Sequence, residues 1–109
     1  SKDLFSVNLS EYKDKIQMWF YDGPHDSFST AKAVEYYASV FAEEAVLIFD
    51  DANWDGVVEG ARQGINNIGA TVGYDKILLC DVEDKNSWWN GLYIVVINKP
   101  KNEEVVVNI

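Results

Sequence analysis

The stretch that decides the fold runs from residue 16 to residue 54 and reads IQMWFYDGPHDSFSTAKAVEYYASVFAEEAVLIFDDANW. Two apolar runs, Ile16–Asp22 and Ala45–Phe49, flank a segment with helical spacing. The first run ends at a Gly-Pro turn signal and the second at a pair of aspartates, so both predict strands. The second run is continuously apolar, which is typical of a strand buried on both faces of a parallel sheet.

Two helices are predicted, one between these strands and one after them. Ser29 or Thr30 is expected to cap the first helix, and a second helix is expected to start at Asp55 and to end at Gly69. Apolar residues at helical spacing mark the face of the first helix: Val34, Tyr37, Ala38 and Phe41. The corresponding face of the second helix is formed by Val58, Ala61, Ile65 and Ile68. Gly64, inside the second helix, weakens that prediction because glycine is a poor helix former.

Four further segments read as strands: Leu4–Leu9, Lys76–Val82, Leu92–Asn98 and Glu104–Ile109. A polar turn, Glu83–Ser87, joins the second and third of these without a helix, so those two strands are expected to be antiparallel. Strands alternating with helices predict an α/β fold with a mostly parallel sheet. A chain of 109 residues predicts a single domain spanning residues 1–109.

Charge and composition exclude several classes of function. The chain has 9 Lys+Arg against 18 Asp+Glu, a net charge of −9. Such a protein repels nucleic-acid phosphates and anionic membranes, so we expect neither as a partner. No apolar run is long enough to span a bilayer, and no secretory leader is visible. A single cysteine, Cys80, excludes an intrachain disulfide and a cysteine-rich zinc site, and a cytoplasmic location is expected.

Carboxylates follow both central strands. In open α/β sheets, ligands bind beyond the carboxyl ends of parallel strands. If the two strands are neighbours, Asp22, Asp50 and Asp51 converge at one edge. Three clustered carboxylates repel one another, and a hard divalent cation such as Mg²⁺ would relieve that repulsion. The alternative reading is that aspartates stand there because turns favour them.

Histidine and tryptophan lie near the same turns. His25 is the single histidine, and an imidazole can act as a general base near neutral pH; the alternative is a solvated loop residue. Trp88-Trp89-Asn90 precedes a predicted strand, and Trp54 follows the aspartate pair. These residues are candidates for contact with a substrate or an interface. Capping of the core by the tryptophan pair stays an equal alternative.

Three motifs in order resemble a known family. They are YDGPH at residues 21–25, FDDANW at residues 49–54 and WWNG at residues 88–91. Together they resemble the C-terminal half of class I S-adenosylmethionine-dependent methyltransferases, in particular methyltransferase family 24. The resemblance implies a partial Rossmann-like sheet with two helices and the family's strand order 4-5-7-6.

The resemblance also implies roles for these residues. In related metal-dependent O-methyltransferases a divalent cation at these strand ends holds the acceptor hydroxyl and lowers its pKa. By resemblance, Asp22, Asp50 and Asp51 look like the metal ligands. The resemblance also implies that Asp22 contributes to cofactor binding. Two positions depart from the pattern. Pro24 stands where sugar-modifying members carry an aspartate base, leaving His25 as the substitute catalytic residue, and Ala52 replaces a common aromatic residue.

The glycine-rich turn that holds S-adenosylmethionine in this family is not found in the sequence. The chain therefore resembles half of a methyltransferase domain and is expected to be inactive alone. In that half-sheet the strand Ile16–Asp22 would form an open apolar edge, which predicts a homo-oligomer that covers it. The competing hypothesis is a non-catalytic α/β module that oligomerises and binds a small molecule or a partner.

Overall fold

The computed structural model describes residues 9–79 and 91–100, which form a small α/β domain with a four-stranded mixed sheet and two helices. This confirms the predicted class. The strands are β1 (Ile16–Tyr21), β2 (Phe41–Asp50), β3 (Thr71–Leu78) and β4 (Leu92–Asn98). The helices are α1 (Ser27–Tyr37) and α2 (Asp55–Asn67), with short 3₁₀ helices at Leu9–Tyr12 and Ala38–Val40.

The sheet has the order β1-β2-β4-β3. β1 and β2 are parallel neighbours, as expected, and α1 connects them. β4 lies between β2 and β3 and runs antiparallel to both, which confirms the antiparallel pairing of the last two strands. The expectation of a mostly parallel sheet is wrong, because the insertion of β4 makes two of the three strand pairs antiparallel.

One face of the sheet packs against both helices. Its buried side chains are Tyr21, Ala45, Leu47, Phe49, Tyr93, Val95 and Ile97. Trp19 contacts the rings of Tyr37, Phe41 and Phe49 at centroid distances of 5.4–5.7 Å, so much of this core is aromatic.

The opposite face is only partly covered. Along β2, fully buried residues alternate with the half-buried Val46 and Ile48. On β1, Met18 is 66% exposed and Phe20 is 55% exposed. The prediction that Ala45–Phe49 is buried on both faces is therefore wrong, since both helices cover the same face.

Helix α1 begins earlier than predicted. Asp26, not Ser29 or Thr30, caps it: the backbone N–H of Ser29 donates to Asp26 Oδ2 at 2.8 Å. That hydrogen bond holds the pKa of Asp26 below its ordinary value. The helix ends at Tyr37, and Phe41 is the first residue of β2 rather than part of the helix face.

Helix α2 starts at Asp55 as predicted, and Gly69, with φ of +75°, follows its end. Its buried face is rotated from the predicted one and consists of Val57, Gly60, Ala61, Gly64 and Ile65. A Cβ on Gly60 would lie 2.4 Å from the carbonyl oxygen of Ser27, and one on Gly64 would lie 2.9 Å from that of Ala31. Gly64 therefore supports the helix packing that it was expected to weaken.

The remaining strand predictions have mixed outcomes. Leu92–Asn98 is confirmed, whereas β3 starts at Thr71 rather than Lys76 and stops at Leu78. Leu9 lies in a 3₁₀ helix rather than in the predicted Leu4–Leu9 strand, whose other residues lie outside the described part of the chain. Cys80, the turn Glu83–Ser87 and the predicted strand Glu104–Ile109 also lie outside it. Neither α1 nor α2 is long and apolar enough to cross a membrane.

Candidate metal centre

The carboxyl ends of β1 and β2 meet at one edge of the sheet because the strands are parallel and adjacent. Tyr21 pairs with Phe49, so Asp22 and Asp50 follow at the same level. One carboxylate oxygen from each of Asp22, Asp50 and Asp51 lies within 4.8 Å of the others. The structure thus brings together the three aspartates that the strand pattern predicted to converge.

Internal contacts hold the first turn, residues 22–26. The Tyr21 hydroxyl donates to the carbonyl oxygen of Pro24 at 2.8 Å. Burial raises the pKa of Tyr21, which keeps this phenol a donor across neutral pH. A Cβ on Gly23 would lie 2.9 Å from the Tyr21 ring, so the turn folds closely over that ring.

The second turn, residues 50–54, has an unusual backbone. Asp51 has φ of +62°, a left-handed conformation that aspartate tolerates better than most side chains. Its backbone N–H donates to Asp50 Oδ1 at 2.9 Å, and its carbonyl oxygen accepts from the N–H of Trp54 at 3.0 Å. The first bond holds the Asp50 carboxylate against the turn, and the second closes the backbone of the turn.

Exposure differs across the three aspartates. Asp22 is exposed, Asp50 is half-buried and Asp51 is only 9% exposed. Like charges this close repel one another more strongly as the surroundings lose water. A divalent cation would neutralise that repulsion, and carboxylate oxygens are the ligands that Mg²⁺ and Ca²⁺ prefer.

His25 is tied directly to this cluster. Its Nε2 lies 2.8 Å from Asp51 Oδ2. An ionised carboxylate can only accept a hydrogen bond, so Nε2 carries the proton and, in the neutral ring, Nδ1 is the acceptor. The imidazole also stacks on Trp54, with ring centroids 5.1 Å apart and planes 16° apart.

No protein family, curated protein or solved structure was found that matches this chain.

The predicted substrate or interface residues are only partly described. Trp54 is 54% exposed beside His25, while Trp88, Trp89 and Asn90 lie outside the described residues. Gly91, the last residue of the WWNG motif, is described and begins the approach to β4.

Gly91 is a supporting residue that sequence reasoning missed. Its φ is +84°, and a Cβ there would lie 2.5 Å from Asn53 Oδ1. Its carbonyl oxygen accepts from the N–H of Ala52 at 3.2 Å. The second turn thus packs directly against Gly91. The sequence signal that could have indicated this role was a glycine placed directly before a strand.

The described aspartates at the strand ends fit a divalent cation. Three carboxylate oxygens in reach of one another form a donor set suited to a hard divalent ion. S-adenosylmethionine would need the glycine-rich turn of a first strand, and the sequence has no such turn.

Two grooves flank the aspartates. One, of about 680 Å³, extends from the second turn along α2 and is bounded by Arg62, Ile77 and Leu79. The other, of about 580 Å³, lies beside the first turn and is lined by Pro24, Phe28, Lys32 and Tyr36 among others.

Proposed function

We propose that the chain is the cation-binding and acceptor-binding half of a metal-assisted, S-adenosylmethionine-dependent O-methyltransferase that acts on a hydroxyl of a small molecule or sugar in the cytoplasm. One observation carries the proposal: three carboxylates converge at the ends of adjacent parallel strands, with ligand oxygens within 4.8 Å. No nucleic acid or membrane is proposed as a partner.

The sheet supports this proposal. The resemblance implied the strand order 4-5-7-6, and the observed order β1-β2-β4-β3 has the same form, with the last strand inserted beside the second. The parallel β1–β2 pair and the antiparallel β4 agree with that order. Both helices cover the same face, as they do when successive crossovers proceed in one direction along a sheet.

Each residue has a defined part in the proposal. Asp22, Asp50 and Asp51 would hold the cation, which when bound polarises an acceptor hydroxyl and lowers its pKa. His25 is held by Asp51 at Nε2, so Nδ1 is the atom that would accept the acceptor's proton. Trp54 would contact the acceptor beside His25. The glycine-rich turn that holds S-adenosylmethionine in the resembled family is not found in the sequence, so we expect no transfer by this chain alone.

Thermal unfolding with added Mg²⁺ or Ca²⁺ tests the cation site. An ion that binds the folded state at 100 times its Kd stabilises it by about 2.7 kcal/mol, which for a domain of this size raises Tm by roughly 10 °C. We expect Asp50→Asn to abolish the rise. Asp55→Asn is the matched control, since it removes one negative charge from the same end of the molecule but no ligand. S-adenosylhomocysteine alone is expected to leave Tm unchanged.

Two results would count against the proposal. An unchanged Tm at millimolar concentrations of the cation would exclude the proposed metal site. An equal rise in wild type, Asp50→Asn and Asp55→Asn would show diffuse screening of the net charge instead of a site.

The second candidate function is a non-catalytic module that oligomerises and binds a ligand or partner. The exposure of Met18 and Phe20 on an edge strand favours it, because such side chains commonly mark an interaction surface. This module would not respond to cations, so the same titration separates the two candidates.

A further inference from the structure

Strand β1 forms one edge of the sheet, and none of the other described strands pairs with its outer side. Its six residues, IQMWFY, carry no charge in a chain with 27 charged residues. Met18 and Phe20 project from the sheet face that the helices leave open. A groove of about 260 Å³ lies along this edge, with Tyr12, Ile16 and Met18 among its lining residues.

The other edge of the described sheet, β3, has features that hinder pairing with a further strand. It contains Gly73 at a register irregularity and the adjacent charges of Asp75 and Lys76. Bulges and charged side chains are the devices by which natural sheets protect their edges. β1 has an irregularity near Ile16, where it pairs with β2, but the rest of the strand is uncharged and continuous. Of the two edges of the described sheet, β1 is therefore the one less protected against pairing with another strand.

We infer that β1 pairs with β1 of a second copy of this chain, antiparallel and across a twofold axis, to give one continuous eight-stranded sheet. Two identical strands related by a twofold axis perpendicular to the sheet must run antiparallel. Opposite residues of such a pair share a sheet face. Each copy therefore keeps its helices on the same side of the joint sheet.

The side chains select the register. With Trp19 opposite the partner's Trp19, Met18 lies opposite the partner's Phe20 on the open face. Both cross-strand pairs are apolar or aromatic, and such pairs stabilise adjacent strands. The pairing would bury the two most exposed apolar side chains of β1 together.

The charges at the two ends of β1 favour a second copy of this chain as the partner that pairs with this edge. Lys13 and Lys15 precede the strand, and Asp22 and Asp26 follow it. Asp14, between the two lysines, is paired with Lys99 at 2.8 Å, so its charge is offset within the chain. Antiparallel pairing places the basic end of one copy beside the acidic end of the other. In the register above, Asp22 lies opposite the partner's Ile16, next to the partner's Lys15. The pairing thus forms two opposite-charge contacts despite the negative charge of the whole chain.

Sedimentation equilibrium tests the dimer. We expect a dimer for the wild type and, for Met18→Lys, a dissociation constant raised at least about tenfold, because a charge would replace a buried apolar contact. Tyr74→Lys is the matched control, since Tyr74 is an exposed aromatic residue (59%) on the other edge, and its dimer should be unchanged. The inference would be overturned if the wild type were a monomer at 100 µM, or if both variants weakened the dimer equally.

Disulfide cross-linking tests the register. In a Cys80→Ser background, Met18→Cys and Phe20→Cys chains should cross-link when mixed, since opposite Cβ atoms lie about 4.5–5.5 Å apart. Neither chain should cross-link on its own, because the two copies of the same cysteine are then diagonal neighbours and do not lie opposite each other. Cross-linking of either chain alone, or of neither combination, would overturn the proposed pairing. Neither experiment needs a cation, so its failure is distinct from failure of the metal site.

Discussion

At the scale of single residues, the sequence predicted the cluster of three aspartates but not the hydrogen bonds around it. Asp22, Asp50 and Asp51 could be predicted to converge because strand ends and turn chemistry are local signals. The hydrogen bond from His25 to Asp51 joins residues 26 positions apart, and no local pattern specifies it. The bond from Tyr21 to the Pro24 carbonyl likewise depends on how the turn folds over a buried ring.

Gly91 gives a prediction at this scale. Gly91→Ala should destabilise the fold by about 2–4 kcal/mol, because the new Cβ combines a strained positive φ with a clash against Asn53. The displaced turn carries Asp50 and Asp51, so the apparent Kd for Mg²⁺ should rise at least about tenfold, a coupling of roughly 1.4 kcal/mol. Urea unfolding and calorimetric titration of Mg²⁺ measure the two effects.

Gly69→Ala is the control for that substitution. Gly69 has a similar φ of +75°, but the nearest atom to its added Cβ is 3.8 Å away on Pro100. We expect a loss of about 1 kcal/mol from backbone strain alone and unchanged cation affinity. Equal effects on Mg²⁺ binding in both variants would mean that Gly91 does not support the site.

At the scale of elements, strong local signals were a better guide than intrinsic propensity or helical periodicity. β4 and the start of α2 were predicted correctly, since an apolar run and an Asp after a turn are strong local signals. β3 was placed too late because Gly73 and Asp75 are poor strand formers. Pairing with β4 holds them in the sheet, and the Tyr93 hydroxyl donates to Asp75 Oδ2 at 2.8 Å. Tertiary contacts there outweigh intrinsic propensity.

The close contact between α1 and α2 at Gly60 determines the effect of an alanine at that position. Alanine is a better helix former than glycine by up to about 1 kcal/mol, so propensity alone predicts that Gly60→Ala stabilises α2. The structure predicts the opposite, a net loss of about 1–2 kcal/mol, because the Cβ would lie 2.4 Å from Ser27 O and force α1 away.

Gln63→Ala is the matched control on the exposed side of α2. Its side chain donates to Asn67 Oδ1 at 2.8 Å in an exposed position, so the change should stay within about 0.5 kcal/mol of wild type. Urea unfolding of both variants decides the matter, and a Gly60→Ala protein more stable than wild type would contradict the close helix packing.

At the scale of the whole molecule, the two sides of the sheet differ. Both helices pack on one face, while the other keeps a half-buried apolar surface bounded by β1 at one edge. The sequence indicated strongly apolar strands but could not tell which face stays open, because that depends on the side on which the crossovers pass. The three aspartates lie at one end of this sheet, and the lysines before β1 lie at the other.

Titration of Mn²⁺ into ¹⁵N-labelled protein, followed by amide NMR spectra, tests whether a cation binds at the ends of β1 and β2. A bound paramagnetic ion broadens nearby amide signals, so it reports where the cation sits. We expect early, saturable broadening of the amide signals of Asp22, Gly23, His25, residues 50–54 and Gly91, which is lost in Asp50→Asn and retained in Asp55→Asn. Broadening that starts instead at other acidic positions, such as Glu43 and Glu44, would contradict a metal centre at the strand ends.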